Sequence, residues 1–421
     1  MNFPDELLEL LRQALAQTPR PPPAGISPAE WAVFIEAARW HRLGPLLHVR
    51  LAPVAATLPP DLAAALQAEY HQHALWSVVL ATATRQVLHT LAAIGIEPVV
   101  LKGMAFGEVL YHNPALRPTT DLDLLVPHAD VSRVKAALLE LGFADQGLAA
   151  EEQPHLRGEV ALHALLLDGA LRFDVDVHWR LAQHPLVMFQ LAAEDWLPAS
   201  VPATIAGVPV RVLAPTDALL HAAIHLFWHH LGTWHLIWLS DVDLLLRTHA
   251  AAWDWRELAA RAQALRCLLP LQATLRLTHT WFDAPLPADA LPALAALTPA
   301  AEEAAAFQRL AGQRRSSLEL ARGRVAALPD LPARLAYWRA MLFPPAAYMI
   351  PRYHIPWRGL LPLYYLSRIV KAIVWTAWQP YARFRAEQPL PPSDPASAGH
   401  GSTRIHTDSL TTNDTKTKTN S

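Results

Sequence analysis

Hydrophobic positions recur every three to four residues through roughly the first 93 residues. They switch to alternation in the middle of the chain, and return to helical spacing from about residue 185 onward. Residues 1–19 predict a helix that ends in the stiff stretch "PRPPPAGISP". A second helix is predicted in "SPAEWAVFIEAARWHRLGPLLHVRLA", with Ser27 as N-cap and Pro28 in the first turn. A third, "PPDLAAALQAEYHQHALWSVVLATATRQVLHTLAAIG", keeps its period up to Gly95. The period then changes: "IEPVVL" at 96–101 predicts a strand, "KG" a turn, "MAFGEVLYH" a helix, "DLDLLV" a strand and "ADVSRVKAALLELGF" a helix. "EVALHALLLDG" and "ALRFDVDVHWRL" predict two strands paired through the turn at Asp168 and Gly169. A hairpin-like piece, "ATIAGVPVRVLAP", interrupts the later helices, and no repeat period is present. The fold class predicted is α+β: a small α/β mixed-sheet core at 91–185, an N-terminal helical region at 1–90 and a C-terminal helical domain at 186–330. Apolar helices at 331–386 and a polar, disordered tail at 387–421 complete the chain.

Composition narrows the class. With 421 residues, 52% of them hydrophobic and 17% charged, most of the chain can be folded into two or three domains. A net charge of −2 and a pI near 6.9 supply no general attraction for nucleic acid. Cys267 is the single cysteine, so no intrachain disulfide forms and a reducing cytoplasm fits. The N-terminus carries acids early, unlike a secretion signal. In the late segment "GLLPLYYLSRIVKAIVWTAWQPYARFR", Pro362, Arg368 and Lys371 break what would otherwise be a spanning run. It reads either as a helix packed on the protein or as an interfacial helix with basic and aromatic anchors, which would give peripheral membrane contact through 357–385.

The alternating strands carry the candidate chemistry. In "DLDLLV", Asp121 and Asp123 share one face, about 6.8 Å apart along the chain, while Leu122, Leu124 and Val126 share the other. In the later strand Asp174, Asp176 and His178 alternate with Phe173, Val175 and Val177. Strands about 4.8 Å apart would let a carboxylate of the second join the first pair. Acids gathered this way stay ionised only beside cations, and magnesium, a hard ion with oxygen ligands, suits them. Two such ions can clamp the attacking and leaving oxygens of a phosphoryl transfer. Either pair alone could equally be an edge strand facing water; two acidic strands within some sixty residues favour the metal.

The order strand, glycine turn, helix, D-x-D strand, later acidic strand resembles the DNA-polymerase-β-like nucleotidyltransferase superfamily. Within it the chain resembles the bacterial group known only as uncharacterised nucleotidyltransferases, through "LKG" at 101–103, "RPTTDLDLLV" at 117–126 and "DVHW" at 176–179. The flanking "AARWHRLGPLL" and "LLHAAIHLFWHH" extend the likeness over most of 30–380. The resemblance implies that Asp121 and Asp123 hold two magnesium ions and that Asp176 is the third carboxylate, with Asp174 the competing candidate. It also implies a triphosphate approaching Gly103. The superfamily's Gly-Ser turn is absent, since Met104 follows Gly103; Lys102 could supply charge instead, and Arg117 could meet a phosphate or form a loop ion pair.

His221, His225 and His229 fall on one helix face. A zinc protease needs Glu after the first His, and Ala222 stands there. His221 and His225 are therefore expected to line the nucleotide cleft, to hydrogen-bond the acidic strands, or to pack as satisfied helix histidines, with Asp241 within their reach. "WLSDVDLLL" repeats the D-x-D spacing in a helical context, where Asp241 and Asp243 point apart. The expected function is a magnesium-dependent transfer of a nucleoside monophosphate from a triphosphate such as ATP to an acceptor hydroxyl of a small molecule or protein, releasing pyrophosphate. Asp176 would deprotonate the acceptor. The alternatives are a catalytically impaired nucleotide-binding module acting through a protein partner, and a metal-dependent phosphohydrolase.

Overall fold

The computed structural model describes residues 5–15, 21, 25–145, 158–182, 184, 186–230, 235–312, 325, 331–344 and 346–370. The tail expected at 387–421, and residues 371–386 of the apolar C-terminal stretch, lie outside the described residues.

Among the described residues four α-helices precede the sheet: α1 (Asp5–Leu15), α2 (Pro28–Trp40), α3 (Gly44–Arg50) and α4 (Pro60–Ala93). At the start of α2, Ser27 and Glu30 form a capping box, with the Glu30 carboxylate accepting the Ser27 N–H at 2.7 Å. The second predicted helix is in fact two. Pro45 has no N–H for the next helical bond and its ring would collide with the His41 carbonyl, so the chain breaks at Arg42, which turns left-handed (φ 58), and restarts as α3.

The core alternates β1 (Val99–Val100), α5 (Lys102–Val109), β2 (Asp121–Leu125), α6 (Val131–Glu140), β3 (Ala144–Asp145), β4 (Glu159–Leu166) and β5 (Leu171–His178). The hairpin β6 (Val201–Ile205) and β7 (Val208–Val212) follows. All seven strands form one mixed sheet in the order β3-β4-β5-β2-β1-β7-β6. Two pairs, β2–β5 and β1–β7, are parallel; the other four are antiparallel. The later hairpin thus joins the sheet through β1, which carries the sheet past the 91–185 span read from the sequence. β1 is shorter than "IEPVVL", because Pro98 offers the ladder no donor and α5 begins already at Lys102.

Alternation in β2 and β5 separates two environments. Leu122, Leu124, Val175 and Val177 are fully buried against Val87 and Leu91 of α4 and Val134 and Leu138 of α6. Burying each such side chain contributes about 1.5–3 kcal/mol, which fixes the face that β2 presents. The opposite face carries the acids and Leu125, and Leu125 packs toward the C-terminal helices. Those are α7 (Pro215–Ile224), a π-helical turn (His225–His229), α8 (Leu236–His249), α9 (Trp255–Ala264), α10 (Leu268–Phe282), α11 (Ala290–Ala295) and α12 (Ala301–Gly312). Trp255 is buried at the start of α9 and meets Trp253 edge to face. A third core joins α1–α4 to Phe227, Ile237 and Leu239, so N- and C-terminal helices pack on each other beside the sheet. Among the described residues no helix is long and apolar enough to cross a membrane.

Candidate active site

Parallel pairing sets Asp121 opposite Asp174 and Asp123 opposite Asp176, so four carboxylates stand on one face of two adjacent strands. They are not equivalent. Asp123 is 1% exposed and its Oδ1 accepts from Lys102 Nζ at 2.9 Å, with His178 Nε2 at 3.0 Å. The other ring nitrogen of His178 lies 3.1 Å from Glu159 Oε2, across the β4–β5 ladder.

Burial would raise the Asp123 pKa, but Lys102 and His178 outweigh it and hold the carboxyl well below the usual range. Burial likewise opposes charge on His178, yet its bonds to Asp123 and Glu159 carry it up to about 10. Glu159, half-buried, is lowered to about 2 because its bond to His178 outweighs the burial that would raise it. His178 is therefore an imidazolium between two carboxylates.

Asp176 differs from all of these. Burial, and then the negative charge of Asp123, push it up to about 7. It makes no ion pair among the described residues, and the buried Oδ2 of Asp123 has no hydrogen-bond partner. Ligand atoms of Asp123, Asp176 and His178 lie within 4.8 Å of one another, close enough to hold a metal ion. An orphaned carboxylate oxygen facing a second, uncompensated carboxyl is the donor set a hard divalent cation fits. His178 as an imidazolium has no lone pair to donate, so it serves to hold Asp123.

The flanking acids are already engaged. Asp174 is gripped by Arg172 of its own strand, with Nε at 2.9 Å and Nη2 at 2.6 Å from Oδ1. Asp121, half-buried, accepts a short hydrogen bond from the Thr119 hydroxyl. That hydroxyl sits against Gly103: a Cβ there would lie 2.7 Å from Thr119 Oγ1 and 3.7 Å from Asp121 Oδ1. The glycine is required by this close approach. Lys102, at the first position of α5, has φ 23.

Arg117 is buried and paired: its Nε and Nη2 each reach Asp241 at 2.8 Å, and Tyr111 donates to Asp241 at 3.0 Å. The ion pair open to Arg117 is formed, with Asp241. Asp241 is thus taken by Arg117 and Tyr111, and among the described residues it forms no hydrogen bond or ion pair with His221 or His225. Asp243, on the same helix, turns to Arg247.

A cleft of about 290 Å³ is lined by Lys102, Phe106, Arg117, His221, His225, Trp238 and Asp241. Burial, helped by the Lys102 charge, lowers His221 to about 3 and His225 well below its ordinary value, so both rings are neutral. His225 Nε2 lies 3.0 Å from His230 Nε2, and His225 stacks on His229. On the other flank of α5, Gly103, Thr119, Arg117, His73 and Trp76 line a second cleft of about 400 Å³.

Two site residues escape a reading of the sequence: Thr119, whose hydroxyl turns onto Asp121 two residues on, beside Gly103, and Glu159, whose partner lies across the β4–β5 ladder. His178 stands on the face of Asp174 and Asp176, as alternation places it; its bond to Asp123 on the neighbouring strand is what the sequence does not give. The sequence profile of a family described as "Uncharacterised nucleotidyltransferase" matches residues 27–283, more than half of the chain. No curated protein and no solved structure matches it.

Proposed function

The chain belongs to this uncharacterised nucleotidyltransferase family, and from that premise we propose that it moves a nucleoside monophosphate from a nucleoside triphosphate to a hydroxyl of a small molecule or a protein, with release of pyrophosphate. One observation carries the reading: Asp123 and Asp176 face each other across parallel strands, with a buried carboxylate oxygen left without a partner.

Asp121, Asp123 and Asp176 would hold two magnesium ions, with Asp174 able to join only by leaving Arg172. Bound there, magnesium would screen the phosphates and set the entering and leaving oxygens in line. The chain's own groups do the rest. His178, backed by Glu159, fixes the Asp123 carboxylate. Lys102 brings positive charge to the start of α5, where the missing serine hydroxyl would have touched phosphate, and Gly103 keeps the backbone there free of a side chain. Arg117, fixed by Asp241, adds charge to both clefts from a set position. Neutral His221 and His225 offer hydrogen bonds to base or ribose. Asp176, the third carboxylate, is the group assigned to take the acceptor's proton. Near-neutral charge makes nucleic acid the least suitable acceptor, and the buried lone Cys267 suits a reducing cytoplasm.

A second reading has its own observation. Lys102 and His178 already neutralise Asp123, and no serine follows Gly103, as a nucleotide-binding module without turnover would allow. Calorimetry with ATP and magnesium, paired with pyrophosphate release over the four triphosphates and candidate acceptors, separates the two. Transfer predicts pyrophosphate that disappears in Asp121→Ala/Asp123→Ala; magnesium-dependent binding with no pyrophosphate supports the module; orthophosphate release would indicate a phosphohydrolase.

A further inference from the structure

After α12 the described chain continues as α13 (Leu331–Leu342), α14 (Ala346–Tyr353), a single 3₁₀ turn (Arg358–Leu360) and a helical segment at 361–370. These pieces are tied together through polar groups. Arg368 donates to the Met341 carbonyl at 3.0 and 3.1 Å and to the Tyr353 hydroxyl at 2.7 Å. Tyr365 donates to the Pro344 carbonyl at 2.7 Å, and its ring meets Phe343.

Tyr337, Met349 and Ile355 are buried, but a set of large apolar groups points outward. Trp357 is 69% exposed, Leu363 62% and Leu366 57%, with Val370 also exposed. Leu363, Leu366 and Val370, at steps of three and four, share one helix face. This is the reverse of a water-facing helix, whose polar groups are outside.

Charge selects the occupant. Residues 331–370 contain five arginines and no Asp or Glu, in a chain whose net charge is −2. Arg339 and Arg358 are exposed on the same unit. A second copy would present the same positive charge. Residues 371–386 of this chain also lack acids and carry Lys371, Arg383 and Arg385, so they add to the charge instead of complementing it. A surface both apolar and negative meets both requirements.

We propose that the 331–370 unit docks on an anionic lipid bilayer, with Trp357, Leu363, Leu366 and Val370 entering the headgroup–acyl boundary and Arg339 and Arg358 at the phosphates. The contact is peripheral, since no described helix is long and apolar enough to span. It stands apart from nucleotidyl transfer: the sheet-face acids take no part in it.

The test is co-sedimentation of the full chain with vesicles of phosphatidylcholine alone, or of equal parts phosphatidylcholine and phosphatidylglycerol, at low and high salt. The wild type should pellet at least about tenfold more with the anionic vesicles, and lose that excess in high salt. The variant Trp357→Ser/Leu363→Ser/Leu366→Ser should lose about tenfold in partitioning. These side chains are exposed, so the variant should keep the wild-type melting temperature. Failure of the wild type to pellet with anionic vesicles overturns the proposal, as does equal pelleting by the variant. Self-association of the wild type that the variant abolishes, without vesicle binding, also overturns it and assigns the face to a contact between copies.

Discussion

Thr119 and Gly103 act on Asp121 as a unit: the hydroxyl holds the carboxylate, and the absent Cβ makes room for the hydroxyl. A hydrogen bond to a charged group is worth about 1.5–3 kcal/mol. Thr119→Val should therefore weaken manganese binding, read by electron paramagnetic resonance, by about tenfold to a hundredfold, and Thr119→Ser should restore it. Gly103→Ala should resemble Thr119→Val, because the new methyl expels the hydroxyl. Wild-type binding in both variants would remove Thr119 from the site. Asp123 poses the converse problem, a buried anion serving two cations. Asp123→Asn strands Lys102 and His178 and should cost about 3–5 kcal/mol in urea unfolding. His178, raised from about 6.5 unfolded to about 10 folded, stabilises fully below the lower value and loses that contribution as pH rises through the upper. The variant should flatten that alkaline decline; an unchanged profile would mean that Asp123 does not hold the imidazolium.

At the level of elements, Arg117 ties the loop before β2 to α8. Arg117→Ala leaves Asp241 buried without its cation and should destabilise by about 3–5 kcal/mol, whereas Arg117→Met/Asp241→Leu should recover most of that in denaturant titrations. Equal losses in the single and double variants would show that the pair is not what joins the two elements. The two acidic strands were legible because period-two alternation leaves Asp121 with Asp123, and Asp174 with Asp176, no choice of face. The N-cap at Ser27 and the helical setting of Asp241 were legible for similarly local reasons. What stayed hidden depends on partners distant in sequence: the parallel β1–β7 pairing, the Glu159–His178 contact and the Arg117–Asp241 pair. The π turn at His225–His229 is invisible as well, since i,i+4 histidines remain neighbours in a slightly wider turn.

For the molecule as a whole, buried and half-buried histidines set acid tolerance. His41, His221 and His230 are lowered to about 3, each chiefly by burial. Between about 6.5 and 3 the unfolded chain binds protons at these positions that the fold refuses, so their contribution is complete above the upper value and falls as pH drops. Asp176, near 7 when folded, opposes this with one proton. The net expectation is a loss of about 1–3 kcal/mol per pH unit from pH 6 to 5, measured by urea unfolding; a flat profile would mean that the rings protonate in place. The β2–β5 pairing reaches further than the site it builds. Asp123 and Asp176 belong to strands separated by α6, β3 and β4, so a chain still emerging from the ribosome owns the first carboxylate long before the second. Assembly of the group that could hold a metal therefore waits on closure of a long parallel loop, and a truncated or half-assembled product lacks its second carboxylate.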